Sequence, residues 1–112
     1  MKKINILKES REFDRIIHNY KPYIYKDYII YLEKNNNIIN YKFGLSVGKK
    51  IGNAVKRNKI KRQLKNIIDK KDYQNNFNCI IIVGKGITEK SFKTMEDNLI
   101  IALNNLKIIK EK

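Results

Sequence analysis

The chain has 112 residues, 42% of them hydrophobic, which is enough for one buried core, and we predict a single domain over residues 1–112. No apolar run approaches the roughly 18 residues that span a bilayer, and the N-terminus MKKINILKES lacks the apolar stretch of a signal peptide. The formal net charge is +14, so we expect a polyanionic partner and no membrane.

The first predicted element is a helix that begins near Ser10. Ser10 is the expected N-cap, because its hydroxyl can accept a hydrogen bond from a free backbone N–H. Pro22 ends the helix, since proline lacks an N–H and crowds the residue before it. The apolar stripe has the spacing i, i+3, i+4, i+7 and consists of Phe13, Ile16, Ile17 and Tyr20.

Extended structure follows the helix. Residues 23–33 are rich in aromatic and β-branched side chains, which favours a short strand and then a longer one, and the three asparagines at 35–37 mark a turn. The next strand alternates, and its covered face carries Tyr41, Phe43, Leu45 and Val47. Its second face carries Lys42, Gly44, Ser46 and Gly48. The small side chains of this second face allow another group to approach closely.

The second half of the chain predicts two helices around one buried strand. Gly52 and Asn53 end the preceding strand and cap a helix that runs to about residue 70. NCIIIVG is an apolar run of strand length, expected in the middle of a sheet; its Cys79, the one cysteine, excludes an intrachain disulfide and fits a cytoplasmic location. Thr88 or Ser91 opens the last helix. We predict an α/β (α+β) two-layer sandwich with three helices and a mixed sheet of three to four strands, in the order α-β-β-(β)-α-β-α.

The second helix and its approach are the most basic part of the chain. Residues 49–65 hold eight of the 25 Lys and Arg, and no Asp or Glu occurs from residue 34 to residue 68. Lysine-rich codon usage in an AT-rich genome is one explanation, since 21 of the 25 are lysine. Codon usage does not explain an acid-free stretch of this length, so we predict a nucleic-acid site here.

At 100° per residue this helix has two faces. Ile60, Leu64 and Ile67 form an apolar stripe that is expected to face the core. The opposed stripe is polar and consists of Asn58, Lys61, Arg62 and Lys65. Like charges at i and i+4 cost about 0.2–0.5 kcal/mol per pair, so the missing glutamates indicate an anionic ligand that neutralises this face. An ordinary basic surface helix is the alternative.

A second candidate surface is the aromatic and basic run YKPYIYKDYIIY, together with Phe13. Stacking on aromatic rings contributes about 1–3 kcal/mol per base, so a groove between the first helix and the strand that carries Tyr31 would suit a single strand of nucleic acid. The alternative, in which most of these rings belong to the core, stays open.

A longer segment around the basic helix carries a family signature. FGLSVGKKIGNAVKRNKIKRQLK resembles the central segment of the bacterial ribonuclease P protein subunit, whose motif is GLxVxKKxGxAVxRNxxKRxxR, and residues 44–65 match it without a gap. The segment from Phe13 to Tyr31 matches the family's first helix and following strand in spacing. NCIIIVGK resembles the family's last strand.

The resemblance implies a fold and a function. Members of this family are protein cofactors of a catalytic RNA, and the holoenzyme is an endoribonuclease that removes the 5′ leader from precursor tRNA. The family fold is an α/β sandwich with a left-handed crossover of the basic helix between parallel strands. The residues implied to bind the catalytic RNA are Lys49, Lys50, Asn53, Arg57, Asn58, Lys59, Lys61, Arg62 and Lys65. The residues implied to line the leader cleft are Phe13, Ile17, Tyr31 and Ser46.

Several positions depart from the family pattern. Ile17 stands where an aromatic is common, so stacking there becomes apolar contact. Lys59 and Lys65 replace frequent arginines, which keeps the charge but loses bidentate phosphate geometry. The other departures are Tyr20 for a common Gly, Gly48 for a common Ser and Gly84 for a basic residue.

We expect no catalytic residue and no metal site on the protein itself. His18 is the one histidine and has no evident partner, and Asp69 and Asp72 are typical of a solvated helix end. GLSVGKK is one residue short of a phosphate loop. The chemistry is then expected on the RNA, with divalent ions such as Mg²⁺ bound there. The expected partners are the catalytic RNA and precursor tRNA, with a ribosomal-type structural RNA binder or a helix-type DNA binder as alternatives.

Overall fold

The computed structural model describes residues 1–110, which contain three α-helices and one four-stranded mixed sheet. The helices are α1 (Ser10–Asn19), α2 (Ala54–Ile68) and α3 (Phe92–Asn105). The strands are β1 (Tyr23–Tyr25), β2 (Tyr28–Lys34), β3 (Tyr41–Ser46) and β4 (Phe77–Val83). Short 3-10 turns cover Lys3–Asn5, Lys49–Ile51 and Lys85–Glu89. The chain order α1-β1-β2-β3-α2-β4-α3 confirms the predicted α+β class with three helices and one mixed sheet, and the optional third strand is present.

The strands lie side by side in the order β1-β2-β4-β3. β2 is antiparallel to both of its neighbours and places Glu33 opposite Asn78 of β4. β3 is parallel to β4 and places Gly44 beside Ile80. Parallel neighbours need a crossover connection, and α2 lies in it. The left-handed sense of this crossover stays a prediction.

The central strand β4 is covered on both faces, as its apolar sequence predicts. Cys79 and Ile81 point into the main core, which α2 and α3 close. Ile80 points to the other face and packs with Ile16 of α1 in a smaller core. Successive side chains of a strand face opposite sides of the sheet, so α1 lies on the opposite face from α2 and α3.

The outer edge of β3 is partly covered by the residues before α1. Ile6 pairs in parallel with Phe43, and the Leu7 amide donates to the Phe43 carbonyl at 2.9 Å. The buried Asn5 donates from Nδ2 to the Tyr41 carbonyl at 2.8 Å. These bonds bring the start of α1 to the edge of β3.

The start of α1 differs from the prediction by one residue. Glu9 occupies the N-cap and Ser10 is the first helical residue, so the prediction that Ser10 caps the helix is wrong. The Glu9 carbonyl accepts from the amides of Glu12 and Phe13 at 3.0 and 3.1 Å, which starts the helix without a side-chain cap. The helix ends before Pro22, as predicted.

The caps of α2 and α3 agree with the sequence. Asn53 caps α2, because its side-chain oxygen accepts from the Lys56 amide at 2.9 Å. Of the two candidates for α3, Ser91 is the cap, and its hydroxyl accepts from the Thr94 amide at 3.1 Å. Thr88 instead donates to a backbone carbonyl in the preceding 3-10 turn.

Candidate nucleic-acid interface

α2 turns its apolar stripe to the core. Ile60 is 6% exposed and Leu64 and Ile67 are fully buried, so the predicted stripe is confirmed. Ile51, just before the helix, is also buried and anchors the approach to α2. With this side of the helix fixed inside, the opposite side must face solvent.

The residues implied to bind RNA lie on the outer side of α2 and in the turn before it. The exposed ones are Lys49, Lys50, Asn53, Asn58, Lys59 and Arg62. The half-buried ones are Arg57, Lys61 and Lys65. None of the basic ones forms an ion pair with an acid of residues 1–110. Their positive charge is therefore available to a polyanion.

The Gly-Asn pair of the motif has a structural role at the start of α2. Gly52 has a φ of 151°, a conformation that side chains disfavour, and a Cβ there would come within 2.9 Å of the Lys56 side chain. The Asn53 side chain is held by the helix cap described above. These two residues set where α2 begins and thus how its basic face is turned.

The ring of Phe13 on α1 lies directly over Gly44 of β3. A Cβ atom at Gly44 would come within 3.0 Å of Phe13 Cε1 and closer still to Cζ, so glycine makes this contact possible. A Cβ atom at Gly48 would meet nothing within 4 Å. The group that the small residues of β3 admit is therefore Phe13 of the same chain.

Two cavities form a groove along this contact, at the edge of β3. The first has a volume of about 410 Å³ and lies between α1, β3 and α2. Three of the residues implied for the leader cleft line it: Phe13, Ile17 and Ser46. Lys8 and Lys61 also line it, and the second cavity, of about 280 Å³, shares Lys8, Phe13 and Lys61 and continues to Lys65. The groove thus joins the predicted leader cleft to the basic face of α2.

Most of the other aromatic residues lie away from the groove. Tyr31 is half-buried beneath α1, where it packs with Ile16 and Ile80, and it does not line the two cavities. Tyr28 and Tyr73 are in the main core, where burial raises the pKa of both phenols and their hydroxyls donate to backbone carbonyls. Of the rings in YKPYIYKDYIIY, core packing, the open alternative, therefore accounts for Tyr28; Tyr73 lies outside that run.

Sequence reasoning missed an ionic cluster on α1. The guanidinium of Arg15 donates to both carboxylate oxygens of Glu33 on β2, at 2.8 and 2.9 Å. Glu33 is 5% exposed and also accepts from Asn78 Nδ2 at 2.9 Å and from the Tyr20 hydroxyl at 3.2 Å. Arg15 Nε donates to Glu12 at 2.8 Å. We call Arg15, Tyr20, Glu33 and Asn78 the Glu33 cluster; it ties α1 to β2 and β4.

The electrostatics of the Glu33 cluster are those of a tight ion pair. Hydrogen bonds from Arg15, with those of Asn78 and Tyr20, lower the pKa of Glu33 to about 2 against the opposing effect of burial. The hydrogen bonds of Arg15 to Glu33 and to Glu12 raise the pKa of its guanidinium. Glu33 follows Tyr31 by two residues in a strand, so it faces α1. A carboxylate on the helix-facing side of a strand is the signal that would have found the cluster.

Outside this cluster, Asp69 forms an ion pair and Cys79 is buried. Asp69 accepts from the Met1 ammonium at 2.7 Å, and burial raises the pKa of the Cys79 thiol. Within residues 1–110 no three His, Cys, Asp or Glu side chains gather as metal ligands. That part of the chain also holds no helix long and apolar enough to cross a membrane.

The fold and the groove define a small basic α/β protein whose unpaired cationic face suits a polyanion. A family model described as Ribonuclease P matches residues 1–107. The ribonuclease P protein component of Mycoplasma mycoides subsp. mycoides SC is 37% identical over 115 residues, covering 96% of this chain and 100% of that protein. The protein of the same name from Streptococcus mutans serotype c is 34% identical over 113 residues, covering 99% of this chain and 93% of its own length.

Solved structures agree with the sequence relatives. The ribonuclease P protein of Staphylococcus aureus superimposes with a TM-score of 0.84 at 26% identity, covering 95% of this chain and 98% of that chain. The Thermotoga maritima protein gives 0.79 at 25% identity, covering 88% and 94%. The chain therefore belongs to the ribonuclease P protein family, and its function is that of the protein subunit of this endoribonuclease. Its partner is an RNA, and membership of this family favours this function over the ribosomal-type and DNA-binding alternatives.

Proposed function

We propose that α2 binds the catalytic RNA of ribonuclease P and that the groove holds the 5′ leader of precursor tRNA, so that the chain assists endonucleolytic removal of the leader. The observation that carries this proposal is the position of Lys61, which belongs to the basic face of α2 and also lines the groove beside Phe13. One continuous surface can then contact both RNAs at once. A subunit placed between a catalytic RNA and its substrate needs such a surface.

The proposed contact with the catalytic RNA is mainly with phosphates. The basic side chains on the outer side of α2 are unpaired within residues 1–110, so binding RNA neutralises them and releases counterions. Arg57 and Arg62 can each bind a phosphate with two hydrogen bonds, whereas the lysines act as point charges. The exposed Asn58 can donate and accept at a base edge or a 2′-hydroxyl.

The proposed contact with the leader combines an apolar wall with flanking cations. Phe13 offers a ring for base stacking, and Ile17 beside it offers apolar contact. Lys8 and Lys61 flank the same cavity and can bind the backbone phosphates of the strand. Tyr31, which packs beneath α1, supports this wall from below.

In this proposal the RNA subunit carries the catalysis, and the protein supplies binding. Divalent ions such as Mg²⁺ on that RNA would activate water and stabilise developing charge. That the protein itself holds no such ion stays a prediction. The basic face lowers the repulsion between the two RNAs, and it reduces the magnesium concentration that their association needs. The predicted cytoplasmic location is part of this proposal.

Reconstitution with the catalytic RNA and a precursor tRNA tests the whole proposal. The protein should lower the magnesium concentration at which the leader is cleaved, because it neutralises phosphates at the contact. Cleavage that is unchanged at low magnesium on adding the protein would contradict a processing role. An RNA complex that forms without any effect on cleavage would instead support the ribosomal-type alternative.

A series of leader lengths tests the groove. Affinity for precursor tRNA should rise as the first few leader nucleotides are added, and Phe13→Ala should reduce this gain. Phe92→Ala on α3 is a matched control, because Phe92 is a partly exposed ring far from the two cavities. A wild-type affinity that does not change with leader length would remove the leader from the groove.

A further inference from the structure

We propose that Arg15 and Glu33 are positioning residues for the substrate strand: the Glu33 cluster fixes α1 over the sheet, and this sets the place of Phe13 and Ile17 in the groove. The inference rests on the leader-binding role proposed above. It assigns a part in substrate binding to residues that do not touch the substrate.

The cluster and the groove lie on opposite flanks of α1. At 100° per residue, Arg15 is roughly 160–200° around the helix from Phe13 and Ile17. Ile16 points down into the small core between these flanks. A sideways shift or a roll of α1 therefore moves the groove-lining side chains by the same motion that moves Arg15.

Two attachments of α1 converge on one carboxylate. Arg15 lies inside α1 and Tyr20 is the residue that caps its C-terminal end, and both donate to Glu33. Asn78 holds the same carboxylate from the neighbouring strand. The bonds to Arg15 and Tyr20 restrict sliding along the axis as well as rolling about it.

The groove flank of α1 has a weaker hold on the sheet. There the contact with β3 is the packing of the Phe13 ring over Gly44, a residue without a side chain. Packing of a ring on backbone is not directional, whereas a bidentate arginine–carboxylate pair is. The bonds of Asn5 and Leu7 hold the start of α1 at β3 but do not fix the rotation of the helix about its axis, so the lateral position of Phe13 is set from the opposite flank.

The ionic character of the cluster fits positioning better than stabilisation. Glu33 is buried, whereas the Arg15 side chain is 40% exposed. An ion pair with a buried partner often adds no more stability than apolar residues of the same size, but its geometry is specific. Ile17 cannot stack on a base, so in this chain the leader depends on the placement of Phe13. If Phe13 is already fixed in its binding position, less conformational entropy is lost when the strand binds.

The test compares three variants across the leader-length series in the reconstituted holoenzyme. Glu33→Gln weakens both attachments, and Tyr20→Phe removes one hydrogen bond with little other change. Glu12→Gln is the matched control, because it removes the other carboxylate bound to Arg15 without loosening α1 from the sheet. Affinity of each variant for the catalytic RNA alone is measured in parallel, since that contact is made by α2.

We expect Glu33→Gln to reduce the leader-dependent gain in affinity by roughly tenfold and Tyr20→Phe by roughly threefold, with Glu12→Gln unchanged. Affinity for the catalytic RNA should stay at the wild-type value in all three. If Glu33→Gln does not fold, Tyr20→Phe decides the result.

Two results overturn the positioning role. One is that the folded variants show the same leader-dependent gain in affinity for precursor tRNA as the wild type. That result would leave the leader-binding role of the groove unaffected. The other is a parallel loss of affinity for the catalytic RNA, which indicates general destabilisation. A wild-type series without any leader gain removes the groove's role and this proposal together, so the two failures are distinguishable.

Discussion

α1 and α2 pack on opposite faces of one sheet, and each carries an arginine. The two arginines differ in whether an acid pairs with them. Arg15 of α1 bonds to two carboxylates, Glu12 and Glu33. Arg62 of α2 is exposed and pairs with no acid of residues 1–110. Because one arginine is paired and the other is not, net charge alone does not locate a binding face. Both arginines are exposed, so pairing and not burial separates them: the paired Arg15 attaches α1 to the sheet, and the unpaired Arg62 is available to a partner.

Low pH should have the largest effect on this difference between the helices. Protonation of Glu33 removes the ion pair of α1, whereas α2 stays cationic. The folded-state pKa of Glu33, about 2, is below the ordinary 4.5, so its stabilisation is present above pH 4.5 and is lost as pH falls through 2. The loss amounts to roughly 3 kcal/mol. Urea unfolding of wild type and Glu33→Gln between pH 7 and pH 2 measures it. Equal pH dependence of the two proteins would contradict the assignment.

Replacing Arg15 removes the same ion pair at neutral pH. Arg15→Ala leaves Glu33 buried without its main partner, and we expect a loss of about 2–3 kcal/mol in the free energy of unfolding. Arg62→Ala is the control and should change stability by less than about 0.5 kcal/mol. Denaturant unfolding at pH 7 compares them. Similar losses for both arginines would show that the two helices do not differ in this way.

Gly44→Ala tests the contact between α1 and β3 beside the groove. The added methyl overlaps the Phe13 ring, so we expect a cost of about 1–2 kcal/mol in stability and a smaller leader-dependent gain in affinity. Gly48→Ala is the matched control, because its methyl would meet nothing within 4 Å. Thermal unfolding and the leader-length series give the two readouts, and equal behaviour of both alanines would argue against the close contact.

Arg62→Ala should have the smallest effect on stability and a specific effect on RNA binding. Each lost phosphate contact flattens the salt dependence of affinity by roughly 0.7–0.9 in the log–log slope. Lys93→Ala is a control for the loss of one positive charge, since Lys93 lies on α3 and pairs with Asp97 at 3.5 Å. Titrations with the catalytic RNA at several salt concentrations measure the slopes. An unchanged slope for Arg62→Ala would place this residue outside the interface.

Local patterns account for most of the fold that could be predicted. The apolar spacing of Ile60, Leu64 and Ile67 fixed the buried side of α2, and Asn53 fixed its start, because both depend on neighbours within a few residues. The position of β4 followed from its apolar run. At the start of α1, by contrast, Glu9 takes the cap that Ser10 was expected to hold, since backbone bonds begin the helix there.

Contacts between distant residues account for what sequence reasoning missed. Arg15 and Glu33 meet because a helix and a strand pack face to face. A carboxylate on the helix-facing side of β2 indicates that Glu33 needs a partner, but no pattern near Glu33 identifies Arg15 as that partner. The contact of Phe13 with Gly44 has the same origin. The motif indicated the residues of the basic face, and the looser resemblance outside it indicated Phe13, Ile17 and Tyr31 for the leader cleft. That the two surfaces share Lys61 follows from the way α2 crosses beside β3, which the sequence does not specify.

The pairing of Ile6 with Phe43 bears on how copies of this protein can associate with one another. An open strand edge offers unpaired backbone groups to another chain, and such edges nucleate aggregates. On the β3 side this edge is partly occupied by the segment before α1, next to the groove. On the β1 side the edge is three residues long, and Ile24 in its middle is exposed. We therefore expect any sheet-to-sheet joining in concentrated protein without RNA to occur through β1 and not through the proposed RNA-binding side, where the edge is partly occupied.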